Sequence, residues 1–179
     1  MGWNPAPAPA PPPPAQDEGR GLEWFWARAE VGASYMHLSL DEAALGVPKP
    51  SSGGLVLGAA AGARLLIFTI GARFRLHQLA DYNLWQLGGM LGLHVPYGSW
   101  DFGGDLYFGY AQVGSFASPM PPSSPSGAHF GVEGGADYYF LKWLSAGATI
   151  DFELLFLGRA NKNGVGLGTA LVPHVAFHF

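Results

Sequence analysis

The chain has 179 residues, 49% of them hydrophobic and only 12% charged, with 27 glycines, 15 prolines, no cysteine and a formal net charge of −4. The acidic balance excludes the basic footprint of a nucleic-acid-binding protein, and the lack of cysteine excludes a disulfide framework or a thiolate metal site. The composition is too apolar for disorder and too glycine-rich for a helical bundle, which directs attention to a membrane.

Residues 1–22 form a proline and alanine tract ending in "QDEGRG", read as a polyproline-like or disordered lead ahead of one domain over 23–179. The lead lacks the basic start and apolar segment of a signal peptide, so an exported chain would have lost an upstream one. No run reaches the ~20 apolar residues a spanning helix needs. The stretch 51–63 is short and glycine-rich, and 106–132 holds four prolines.

From Trp24 onward the pattern has a period of two, the period of a strand. The first segment, 24–36, sets Arg28, Glu30, Gly32 and Ser34 against Ala27, Val31 and Tyr35. The second, 55–65, carries Arg64 among glycines opposite Leu57 and Leu65, and the third, 69–77, opposes Arg73, Arg75 and His77 to Phe74 and Leu76. In the fourth, 83–95, Gln86 and His94 oppose Trp85, Leu87, Leu91 and Leu93. The fifth, 100–112, sets Asp101 and Asp105 against Phe102, Leu106, Phe108 and Tyr110. In the sixth, 128–139, His129, Glu133 and Asp137 face away from Phe130, Val132 and Tyr138. The seventh, 143–155, separates Asp151 and Glu153 from Ile150, Phe152 and Leu154, and the eighth, 166–179, separates His174 and His178 from Val175, Phe177 and Phe179. Five segments hold two charges each, and in every one the two lie an even number of residues apart, which chance would give roughly once in thirty.

Short turns near 66–68, 96–99 and 140–142 alternate with longer links at 37–54, 78–82, 114–127 and 157–165. That alternation predicts an all-β fold, an eight-stranded antiparallel up-and-down transmembrane barrel with tight periplasmic turns, longer outer loops and both termini on the periplasmic side. A soluble lipocalin-like carrier of a hydrophobic ligand shares the alternation. The charged face decides between them, because it is built of Gly, Ala, Arg and acids, which suits a narrow interior better than a solvated surface. Lys49, Lys142 and Lys162 all fall in predicted loops or turns. The apolar face ends in interface aromatics at Tyr35, Trp85, Trp100, Tyr110, Tyr138 and Trp143, as the girdles of an outer-membrane barrel would.

The terminal "HVAFHF", with Val175, Phe177 and Phe179 alternating, resembles the C-terminal signal read by the assembly machinery of bacterial outer-membrane barrels. His174 stands where that signal favours glycine. With eight strands, 24–179 resembles the small barrels of the OmpA and OmpX type. The resemblance implies an outer-membrane location and lipid contact, with structural or surface-interaction roles and no cofactor. Pro173 within the last strand has no free edge to excuse its missing N–H, so a bulge is expected there.

The inward face gathers Arg28, Arg64, Arg73 and Arg75 with Glu30, Asp105, Glu133, Asp137, Asp151 and Glu153. Buried charge must be paired and eight strands leave room only for side chains, so these ten read as a salt-bridge network filling the lumen and not as a pore lining. His77, His94, His129, His174 and His178 share that face and read as partners of the surplus acids, not as metal ligands. His37 and Ser39 in "YMHLSL" resemble the catalytic pair of lipid A deacylase barrels, which leaves a lipid A-modifying hydrolase as the alternative to a non-enzymatic barrel. "GLVLGAAAGARL" lacks the Lys and Ser or Thr of a phosphate-binding loop. The proline-rich link 114–128 is an outer loop, either a surface that meets a ligand or a solvated connection.

Overall fold

The computed structural model describes residues 22–39, 49–114, 124–159 and 162–179 and contains eight strands. They are β1 (Leu22–Ser39), β2 (Ser51–Leu65), β3 (Phe68–Leu79) and β4 (Asn83–Tyr97), then β5 (Trp100–Val113), β6 (Ser126–Leu141), β7 (Leu144–Arg159) and β8 (Lys162–His178). Each pairs antiparallel with its neighbours, and β8 pairs with β1 to close a barrel. Phe25 and Phe179 complete that seam by exchanging two backbone hydrogen bonds of 3.2 and 2.8 Å. The proline-rich lead, the middle of the first and third long links and residues 160–161 lie outside the described residues.

The registers fix the size of the barrel. Stepping from Ala27 across the ladders passes Ala61, Ala72, Gly89, Phe108, Phe130, Leu154 and Leu167, and returns to β1 at His37, ten residues further on. With ~3.3 Å per residue and ~4.8 Å between strands, this shear over eight strands tilts them by about 41° from the barrel axis. Along that axis the outward rings of Tyr35, Trp85 and Tyr110 stand about 26 Å from those of Trp100, Tyr138 and Trp143, close to the ~25 Å apolar band of a membrane barrel. Between the two rings the outward side chains are apolar except Thr169, with Leu91, Leu106, Ile150 and Phe152 each at least half exposed.

The strands continue further into the long links than their alternation suggested, because Met36, Leu38, Leu79, Leu155 and Leu157 turn inward and are buried. The β2–β3 and β4–β5 turns use a left-handed first residue, which matches the twist of the flanking strands. Gly98 adopts φ 60° without steric cost, but Leu66 holds φ 59° with a Cβ. Arg64 donates Nε to the Leu66 carbonyl at 3.0 Å and so secures that turn.

The bulge expected at Pro173 is absent. The β7–β8 register runs unbroken through Ala148↔Pro173, and the β1–β8 register is the same above and below the proline. The missing N–H is absorbed on the β1 side, where no pairing occurs at Val31 and Gly32. A Cβ at Gly32 would collide with the Leu171 carbonyl, so the two strands approach closely just where the ladder lapses. The register shifts that do occur lie between Glu23 and Trp26 and between Tyr139 and Leu141, both at the turn end.

Candidate functional site

The interior side chains stack in four levels. At the centre, Glu133 accepts from three guanidinium groups: Arg28, Arg73 at 2.5 Å and Arg75 at 3.3 Å. Glu30 accepts from Arg28 at 2.7 Å and from Arg75 at 2.6 Å, and Asp151 accepts from Arg75 at 2.8 Å and Arg73 at 3.3 Å. All six are buried, and three positive charges meet three negative ones. The Arg73 guanidinium also lies 3.6 Å from the ring centre of Tyr107, a cation–π contact. Tyr107 itself occupies the space that a side chain at Gly131 would fill.

Towards the turn end lies a second polar level. Arg64 pairs with Asp101, His94 Nε2 lies 3.2 Å from Asp105, and His174 Nε2 lies 2.8 Å from Asp137. Thr69 donates to Asp105 at 3.1 Å, and Ser145 to Asp137 at 3.2 Å. His178 contacts the hydroxyls of Ser145 and Tyr139 at 2.9 and 3.3 Å. A cavity of about 40 Å³ lies among Arg28, His94, Asp105, Asp137 and His174, large enough and polar enough for water.

Towards the loop end the polar content thins. Gln86 donates to Glu153 at 2.7 Å, His129 stands 3.9 Å from the same carboxylate, and His77 meets Ser34 at 3.1 Å and Gln86 at 3.4 Å. Above them the interior becomes apolar: Met36, Leu38, Leu84, Val113, Leu155 and Leu157 form one buried cluster across the mouth.

All ten charged residues singled out from the sequence therefore point inward, but they divide into three groups. Arg28, Glu30, Arg73, Arg75, Glu133 and Asp151 stand together. Arg64, Asp105 and Asp137 belong to the turn-end level, and Glu153 to the level nearer the loops. Asp101 and Gln86, which the alternation had placed on the polar face but outside the ten, join these groups, as does Thr69. The five inward histidines do not share one role: His94 and His174 sit within 3.2 Å of a carboxylate, His129 stands 3.9 Å from one, and His77 and His178 meet neutral side chains. Among the described residues no group of three or more His, Asp or Glu is placed to hold a metal ion.

On the outer surface, His37 and Ser39 both face away from the lumen, yet they do not pair. His37 Nδ1 lies 2.7 Å from the hydroxyl of Ser51 across the β1–β2 ladder, and Ser39 donates to the Val165 carbonyl at 2.7 Å. The sequence reading missed Ser51 because neighbours across a ladder are invisible before the register is known. Val175, Phe177 and Phe179 face outward, and Phe177 stacks on Trp143 at 6.1 Å.

No family model matches the sequence, and no curated protein matches it. Among solved structures, the chain is similar to the Neisserial surface protein A, NspA, with a TM-score of 0.68 and 17% identity over 89% of this chain and 99% of that one. Two others are the outer membrane protein OprG from Pseudomonas aeruginosa, TM-score 0.49 and 12% identity over 89% and 98% of the two chains, and Ail, the attachment invasion locus protein of Yersinia pestis, TM-score 0.45 and 12% identity over 87% and 99%. The likeness to NspA shows the fold, an eight-stranded barrel of the kind crystallised for small outer-membrane proteins.

Proposed function

We propose that the chain is a non-enzymatic barrel of the bacterial outer membrane, with an envelope-structural or surface-interaction role and a lumen closed to ions. One observation carries the reading. The closed sheet is apolar outside between two aromatic rings and charged inside, the reverse of a soluble barrel. A lipocalin-like carrier would expose its charged face to water and reserve the apolar one for its ligand. The long links then face the exterior and the tight turns the periplasm, with 23–179 as the folded unit and 1–22 as its lead.

The closed lumen is supported by two levels of different chemistry. At the centre, every guanidinium of the six-residue cluster meets carboxylates, so moving an ion through would require separating buried pairs. At the mouth, an apolar layer offers an ion no ligand at all. The non-enzymatic reading is supported by the outer surface, where the His37 and Ser39 side chains hydrogen-bond to other residues. The surface role is carried by the loop end, and the last strand, with Phe179 at the seam, suits recognition by the barrel assembly machinery.

The test has two parts. Expressed behind an export signal, the protein should fractionate with the outer membrane, and recovery in a soluble fraction would reject the location. In planar bilayers it should show no stable conductance, and ion-selective steps that change on replacing Arg73 or Glu133 would make the protein a small channel.

A further inference from the structure

The three tight turns do not end at one depth. With the register and tilt above, Leu66 and Ile67 at the tip of the β2–β3 turn lie on average within about 1 Å of the level of the turn-side aromatic ring, whereas Gly98 and Ser99, and Leu141 and Lys142, lie about 5 Å beyond it. A hydrocarbon core of ~30 Å centred on the two rings reaches about 2 Å past each of them. The β2–β3 tip therefore stands at the edge of the hydrocarbon, and the other two turns clear it.

The residues follow the depth. The β4–β5 turn is Gly98–Ser99 and the β6–β7 turn carries Lys142, but the β2–β3 turn reads Leu65, Leu66, Ile67 and Phe68, all of them exposed. From 63 to 70 the one charged residue is Arg64, whose side chain is buried in the lumen. Leu66 holds φ 59°, the conformation that Gly98 supplies at φ 60° in the β4–β5 turn. A left-handed residue with a branched side chain is unfavourable for the backbone, and an apolar tip in water is unfavourable for solvation. In lipid the second cost becomes a gain.

The backbone of the turn is suited to the same place. Inside hydrocarbon the polar groups of the main chain must find partners within the protein. The Leu66 carbonyl accepts from Arg64 Nε at 3.0 Å, and the Ile67 carbonyl accepts from the His94 N–H at 2.7 Å. Both carbonyls at the tip are thus satisfied without water. Arg64 is itself anchored on Asp101 and on the His94 carbonyl, so the partner that serves the turn is fixed from inside the barrel.

We propose that the β2–β3 turn is a lipid contact, with Leu66 and Ile67 among the acyl chains at the headgroup boundary of the turn-side leaflet, continuous with the apolar belt. The inference rests on the bilayer placement given above. It adds that the turn end is asymmetric: the β4–β5 and β6–β7 turns stand in the periplasm, and the β2–β3 turn anchors the barrel in the leaflet.

The sequence has no cysteine, so single cysteines can be labelled without interference. The experiment places a nitroxide on the full chain at Leu66→Cys, at Ser99→Cys in the β4–β5 turn and at Leu91→Cys in the belt, with the barrel folded into palmitoyl-oleoyl phosphatidylcholine vesicles. Paramagnetic resonance then compares collisions with oxygen, which concentrates in hydrocarbon, and with a nickel chelate, which stays in water. At position 66 the ratio of oxygen to chelate collisions should exceed that at position 99 at least twofold, in the direction of position 91. If Leu66→Cys folds poorly, Ile67→Cys reads the same tip. Leu66→Asn suits a left-handed turn in water, yet in vesicles it should lower the urea midpoint of the barrel. Chelate access at 66 equal to that at 99, or a midpoint raised by Leu66→Asn, would overturn the inference. So would suppression of both collisions at 66, which would mean that protein covers the turn, either residues 1–21 or a second barrel. Position 91 shielded from the chelate with position 66 open to it refutes this inference alone, whereas chelate access at 91 refutes the membrane reading beneath it.

Discussion

Replacing Glu133 by alanine should be among the most damaging single changes in the barrel. Glu133 is 1% exposed and accepts from Arg28, Arg73 and Arg75, so its loss leaves three guanidinium groups facing two carboxylates. The three are not equally affected. Arg28 keeps Glu30 at 2.7 Å, and Arg75 keeps Glu30 at 2.6 Å and Asp151 at 2.8 Å, but Arg73 keeps only Asp151 at 3.3 Å. Breaking a buried pair from one side costs about 3–5 kcal/mol, a large share of the ~5–15 kcal/mol that holds an ordinary domain together. Urea titration of the barrel in lipid vesicles, followed by tryptophan fluorescence and heat-modifiable gel mobility, measures the loss. The double variant Arg73→Met, Glu133→Met restores two charges against two and should recover most of the stability, giving a coupling of at least ~2 kcal/mol in the cycle. A Glu133→Ala barrel within about 0.5 kcal/mol of the parent, or a double variant no better than the single, would show that the central pairs do not hold the sheet.

Leu91→Arg, half exposed near the midplane, should cost about 2–4 kcal/mol in the same titration, whereas Lys49→Glu, at a loop ion pair of 3.5 Å with Asp81, should change it by less than ~1 kcal/mol. Equal tolerance of both would mean that the apolar face does not meet lipid. Deleting Phe179 removes both hydrogen bonds that close the seam at Phe25 and should lower the yield of assembled barrel in outer membranes; an unchanged yield would sink the role given to the last strand. His37→Ala and Ser39→Ala should leave the lipid A acylation pattern of an expressing strain as it is, and a deacylated species that disappears in both variants would restore the hydrolase.

The alternation that revealed the strands was legible wherever the two faces differ in chemistry. Arg28 and Glu30, or Asp151 and Glu153, mark the lumen side because their neighbours are apolar. At the loop end this contrast vanishes. In Leu154, Leu155, Phe156 and Leu157 both faces are apolar, so period two cannot tell the buried Leu155 and Leu157 from the exposed Leu154 and Phe156. The apolar layer across the mouth was therefore invisible before the strands were paired. Partner choice inside was hidden for another reason. Arg64 meets Asp101, and Arg73 meets Glu133, only because the sheet closes with a shear of ten, a number that strand lengths and loop lengths leave open. Pro173 shows the limit of a local rule, since the expected bulge assumed that every ladder position must be filled, and this ladder simply lapses for two residues.

That lapse bears on the moment before closure. Until β1 and β8 meet, the sheet is open and these two strands are its free edges, each a template on which another chain could add a strand. A proline partway along β8 cannot donate from its nitrogen, so an incoming strand of arbitrary sequence loses its ladder there. β1 offers Gly32 at the same height, and its missing side chain lets the backbones approach across the gap. The native partner thus tolerates the interruption that a foreign strand would not, so the open edge at β8 is guarded against the wrong mate by the same residue that its own mate accommodates.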